Sequence, residues 1–137
     1  MPPALLLVML GWVTRSACLV QEPQGLKTWA EGIVVERTLL LLVSLYIHPG
    51  QEMAFREFEF AAARIMGRYG GRIERVIRPE RVVPEGEVPH EVHLASFPDE
   101  AAFVAYRADA ELAGLTALRQ AAIARTEILF GVEGELY

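Results

Sequence analysis

Residues 39–47, LLLLVSLYI, form an apolar run closed upstream by Glu36 and Arg37 and downstream by His48-Pro49-Gly50. A membrane-spanning helix needs roughly 20 such residues, so this run is too short to span. Bounded by charges and a Pro-Gly turn, it reads as a strand buried on both faces. Beyond the turn, Phe55, Phe58, Ala62, Ile65 and Tyr69 recur at steps of three and four, the stripe of an amphipathic helix. Gly70-Gly71 should end that helix, because glycine accepts the left-handed backbone of a helix C-terminus. RIERVIR (72–78) predicts a second strand and HEVHLASF (90–97) a third. Between them PERVVPEGEVP reads as a hairpin connection with ragged arms. Asp99 is the expected N-cap of a helix in PDEAAFVAYRADAEL, which resumes after Gly114 as GLTALRQAAIA. The last strand is expected at 126–134. There Thr126, Ile128, Phe130 and Val132 alternate with Glu127, Leu129, Gly131 and Glu133.

The order β-α-β-β-α-β is that of a ferredoxin-like α+β fold, an antiparallel sheet with helices on one face. In the first strand Leu39, Leu41, Val43, Leu45 and Ile47 should face the helices, leaving Leu40, Leu42, Ser44, Tyr46 and His48 on the open side. A solvated sheet face is normally more polar than that. Leu40, Leu42 and Leu129, with Phe97 as a further candidate, would form an exposed apolar patch. The expected remedy is a symmetric homodimer in which two sheets pack or close into a dimeric α/β barrel. The alternative is a monomer whose open face is covered by residues 1–37.

Those residues are expected to be an N-terminal extension, disordered or loosely packed, ahead of a ferredoxin-like domain at 38–137. Their apolar run ALLLVMLGWV, 4–13, is also too short to cross a membrane. MPP lacks the positive start of a signal peptide, and Arg15 stands three residues before Cys18, where a lipoprotein signal would be small or apolar. A cytoplasmic protein without a membrane partner is therefore expected. Secretion or anchoring is the open alternative, as is a natural start at Val34 or Val35.

The length of 137 residues suits one domain. A hydrophobic share of 53% is slightly above the usual range and agrees with burial against a second copy. The net charge of −5 argues against a nucleic-acid partner, which would want a basic face. Cys18 is the only cysteine, which excludes an internal disulfide and a thiolate metal cluster.

In the ferredoxin-like order the first strand lies between the third and fourth, antiparallel to both. Its end should bring Tyr46 and His48 near His93 and Glu127, with Ser44 one step deeper and all on one face. Arg119, on the helix entering the last strand, could reach the same end. His93, Tyr46 and Glu127 are the catalytic candidates, and Ser44, His48 and Arg119 the ligand-binding ones. A histidine beside a carboxylate can move protons near neutral pH, and a tyrosine or arginine can hold an oxyanion. The plainer alternative makes His93 and Tyr46 hydrogen-bonded interface residues and Glu127 a solvated strand residue.

The arginines from Arg64 to Arg81 should pair with Glu57, Glu59, Glu74 and Glu80 rather than bind an anion. No metal site is expected, since His90 and His93 are three apart on a strand and face opposite ways, with a haem ligand at His93 or His48 as the alternative. No cofactor is expected either: phosphate loop, dinucleotide fingerprint and nucleophile elbow are all missing. HEVHLASF lacks the aromatic and basic pattern of an RNA-recognition strand, and HPGQEMAF is not an acylphosphatase phosphate loop.

RYGGRI, HLASFPDEAAFVAY and AGLTALRQAAIARTEILFGVEG, taken in order and spacing, resemble an uncharacterised bacterial family called domain of unknown function thirteen-thirty. The likeness runs over most of 39–134. The chain departs from the family in its N-terminal extension and in PERVVPEGEVP, which could alter the rim of a cleft. The resemblance implies a small dimeric α/β barrel with a cleft between sheet and helices, and no known reaction. Relatives in that superfamily include cofactor-free monooxygenases, isomerases and haem- or chlorite-handling proteins, so fold alone does not choose. The expected function is binding of a small, partly apolar organic ligand in the cleft. The alternative is a cofactor-free enzyme moving a proton on a small organic acid or phenol.

Overall fold

The computed structural model describes residues 37–137; apart from Arg37, the expected N-terminal extension lies outside the described residues. Thr38–Tyr137 form one compact unit. Its elements are β1 (Leu39–Ile47), α1 (Glu52–Gly67), β2 (Arg72–Ile77), β3 (Glu91–Phe97), α2 (Glu100–Arg107), α3 (Ala110–Ala113), α4 (Thr116–Ala122) and β4 (Ile123–Gly131). The sheet is antiparallel in the order β2-β3-β1-β4, so β1 lies between β3 and β4 as the ferredoxin-like plan requires.

The α1 stripe buries Phe55, Phe58, Ala62 and Ile65. These side chains divide between two packed clusters. One gathers Ile65 with Leu41, Ala95, Phe97, Phe103 and Tyr106; the other gathers Phe55, Phe58 and Ala62 with Leu45, Ala122 and Ile123. Burying each large side chain contributes about 1.5–3 kcal/mol of transfer free energy.

Gly70 closes α1 with φ +74°, in the region that favours glycine. Gly71 is needed for a different reason: a Cβ there would stand 2.5 Å from Met66 Cγ and 2.5 Å from Phe97 Cε1. Asp99 caps α2, its Oδ1 accepting from the Ala102 amide at 2.8 Å. The second helical stretch breaks twice, and Asp109 recaps it by accepting from the amides of Glu111 and Leu112.

Two expectations are corrected here. First, β4 begins at Ile123 rather than 126 and ends at Gly131 rather than 134, because α4 passes into the strand without a loop and Ile47 already pairs with Ile123. Second, Phe97 is not on the open face. It pairs with Leu39 on the helix side and is 1% exposed.

The remaining odd residues of β1 do face the helices, with Leu41 and Leu45 buried. On the opposite face the cross-strand partners Leu42, Leu94 and Leu129 line up, and Ile77 pairs with Val92 beside them. Leu129 is 68% exposed. Among the described residues no helix is long and apolar enough to cross a membrane.

Candidate functional site

A cavity of about 410 Å³ lies between the sheet and the helices. Its floor is the odd-numbered face of β1 and β3, and its roof comes from α1, α2, α3 and α4. Leu41, Val43, Phe97 and Phe103 make much of the wall apolar, while Glu59, His93, Tyr106, Arg107 and Arg119 supply the polar groups. A second hollow of about 220 Å³, between α1 and the β2–β3 edge, shares Glu59, Ala63, Ile73 and His93 with the first.

His93 anchors the polar side. Its partner across the ladder is Val43, which fixes it on the helix-facing side of β3. Glu91, two residues earlier, shares that side by the two-residue period of a strand. His93 Nε2 lies 2.8 Å from Glu91 Oε1, and Arg78 Nε donates to Glu91 Oε2 at 3.3 Å. A carboxylate facing a guanidinium is the acceptor in both contacts, so we assign the imidazole proton to Nε2. Nδ1 then keeps its lone pair and faces Glu59 Oε2 at 3.6 Å. This is an imidazole oriented by one carboxylate and free to take a proton at its other nitrogen.

Glu59 sits on α1 four residues after Phe55 and three before Ala62, so the apolar stripe carries it inward. Burial pushes its pKa up from 4.5; Glu91 adds to that, while His93 and Arg119 oppose it. Tyr106, buried against Ile65 and Phe97, has its phenol pushed up to about 12, first by burial and then by Glu59. Its hydroxyl therefore stays protonated and can donate a hydrogen bond at any ordinary pH.

The expected constellation divides across the sheet. His93 and Arg119 line the cavity. Tyr46, Ser44 and Glu127 are on the other face, where Ser44 pairs with Glu127 and Tyr46 with Arg125. The physical reason is register: pairing Val43 with His93 puts His93 among the odd residues of β1, away from the even ones.

On the open face Tyr46 Oη donates to Glu127 Oε1 at 3.3 Å, and the Arg125 guanidinium lies 3.8 Å from the centre of the Tyr46 ring. Arg125 also holds Glu87 at 2.8 Å, tying β4 to the β2–β3 connection. His48 is exposed beyond the end of β1, its amide donating to Ala122 O at 2.9 Å.

The arginine pairing differs from expectation too. Arg64 and Arg68 both bond Glu111 of α3, and Arg78 takes Glu91; only the Arg72–Glu74 pair is of the expected kind. The sequence reading overlooked Glu59, Glu91 and Tyr106 as site residues. A glutamate inside an apolar helical stripe was the available signal for Glu59.

The family model described as Domain of unknown function (DUF1330) matches residues 41–133. No curated protein matches the chain. Solved structures do. A protein of unknown function from Rhodopseudomonas palustris superposes with TM-score 0.66 at 20% identity, covering 74% of this chain and 85% of that one. SnoaB, a cofactor-independent oxygenase from Streptomyces nogalater, gives 0.56 at 15%, covering 73% and 96%. An uncharacterised NIPSNAP-like domain protein from Burkholderia xenovorans gives 0.53 at 14%, covering 74% and 89%. At such identities the likeness is one of fold.

Proposed function

The chain belongs to the DUF1330 family of domains of unknown function, and on that premise we propose that it binds a small, partly apolar organic molecule in the cleft between sheet and helices. The observation that carries this reading is the cavity of about 410 Å³, apolar over much of its wall with polar groups gathered around His93 and Tyr106. Small-molecule sites are typically of this size and character, roughly 300–1,000 Å³ with a few convergent polar groups. The test is calorimetry and thermal shift with a panel of small aromatic and acyl compounds on the wild type and on Ala113→Trp, a plug at the exposed rim. The reading expects binding that the plug abolishes. A panel without a binder, or equal binding by the plugged variant, would contradict it.

A second reading is favoured by the 2.8 Å contact between His93 and Glu91. An imidazole oriented in this way can serve as a general base. His93 Nδ1 would take a proton from an acidic C–H or phenolic O–H of the ligand, leaving an anion that Tyr106 could stabilise. Returning that proton to another atom of the same molecule completes an isomerisation with no further reactant. The cofactor-independent oxygenase among the fold relatives keeps such chemistry in view. Binding retained in His93→Gln with loss of turnover would separate this reading from the first.

The same proposal pairs two copies of the chain through the open face. Leu42, Leu129 and Ile77 stay exposed on that face, with Leu94 beside them, the kind of apolar patch that marks a contact surface. It also places the protein in the cytoplasm, in keeping with a chain whose lone cysteine can form no internal disulfide.

A further inference from the structure

The charges around the cavity restrict what can occupy it. Five arginines of the unit are tied to carboxylates, Arg64 and Arg68 to Glu111, Arg72 to Glu74, Arg78 to Glu91, and Arg125 to Glu87 and Glu127, while Arg56, Arg75 and Arg81 lie away from the cavity. Arg107 and Arg119 line the cavity and, among the described residues, have no carboxylate within 4.0 Å. Arg107 lies over the Phe103 ring, 5.7 Å from its centre, and Arg119 donates one N–H to Thr126 Oγ1 at 3.1 Å. Both contacts hold a guanidinium in place without neutralising it.

The two cations also act on a common spot. Arg107 and Arg119 both lower the cost of ionising Tyr106, against Glu59 and Asp109, which raise it, so the fields of both cations reach that hydroxyl. The carboxylate in the cavity wall, Glu59, is biased by burial toward its neutral form. An acidic chain, net −5, thus keeps two arginines without a carboxylate partner among the described residues on the wall of its cavity.

We propose that the ligand is a carboxylate with an apolar body, its anionic end held by Arg107, Arg119 and the Tyr106 hydroxyl and its apolar end against Leu41, Phe97 and Phe103. This rests on the cavity reading above and adds the ligand's charge and orientation to it. Guanidinium is suited to the task because it is weakly hydrated and presents paired N–H donors that match a carboxylate.

Calorimetry with phenylacetate and hexanoate against phenylacetamide and hexanamide provides the test. The acids are expected to bind about tenfold or more tighter than the amides, since a charge-assisted hydrogen bond is worth roughly 1.5–3 kcal/mol. Arg107→Gln and Arg119→Gln should each erase most of that preference, weakening the acids far more than the amides. Arg119→Lys should restore part of it, and added salt should weaken the acids alone. Melting curves of each variant establish that it is folded. Amides that bind as tightly as the acids, or glutamine variants with an undiminished preference, would overturn the charge assignment and leave the cavity reading standing. Failure of acids and amides alike would overturn both.

Discussion

His93 Nε2 stands 2.8 Å from Glu91 Oε1 on the helix-facing side of β3, and His93 is only 5% exposed. A buried imidazole so placed is fixed in orientation by its neighbour, and the neighbour is held in turn by Arg78. Removing the acceptor should therefore be costly. Glu91→Ala is expected to destabilise the fold by about 1–3 kcal/mol, the usual cost of a buried donor left unmet. Glu91→Gln, which keeps an acceptor, should cost less. Urea unfolding of the two variants checks the order.

Glu59 predicts a pH dependence. Its folded-state pKa is raised above 4.5, chiefly by burial. The folded protein therefore holds this proton more tightly than the unfolded chain does. The stabilisation is complete below 4.5 and is lost as pH rises through the folded-state value. Glu59→Gln cannot ionise, so its stability relative to wild type should improve as pH rises from 4 to 8. Thermal melts across that range would contradict this if the gap between the two proteins stayed constant.

Gly71→Ala places a methyl group 2.5 Å from both Met66 and Phe97. Phe97 is locked in the core against Phe103 and Tyr106 and has little room to give. Overpacking of this kind costs about 1–3 kcal/mol. The check is chemical denaturation, with an unchanged midpoint as the contradicting result.

Tyr46 and Glu127 give a contrasting prediction, because the sheet separates them from the cavity. Tyr46→Phe removes one hydroxyl contact at 3.3 Å and leaves the ring beneath Arg125. It should cost about 1 kcal/mol or less and leave ligand affinity unaltered. Arg125→Ala should instead loosen the connection between β2 and β3, which it holds through Glu87. Faster cleavage at Glu85 and Glu87 by a glutamate-specific protease would register that change.

Much of this arrangement was legible in the sequence. The stripe Phe55-Phe58-Ala62-Ile65 announced α1, Gly70 marked its end, and Asp99 marked the start of α2. The odd residues of β1 were correctly placed toward the helices. What the sequence concealed was the facing of β3. In isolation Glu91 and His93 are its polar set and Val92 and Leu94 its apolar set, which invites a reading with the charges toward solvent. Pairing to β1 reverses it, and a shift of one residue would exchange the faces again. Local pattern carries no such information. Glu59 was expected to pair with arginines at the surface, yet the apolar stripe of α1 carries it to the cavity wall, a polar group where the pattern leads one to expect only packing. Of the expected constellation His93 and Arg119 line the cavity, while Tyr46, Ser44 and Glu127 lie beyond the sheet.

The central claim is that ligand enters between sheet and helices, on the side of His93. Methyl-resolved NMR during a titration with phenylacetate tests it directly, because β1 alternates between the two sides. The account predicts shifts at Leu41, Val43, Leu45 and Ile128, with Leu42, Leu94 and Leu129 unmoved. Shifts confined to Leu42, Leu94 and Leu129, or a spectrum that does not respond, would contradict it.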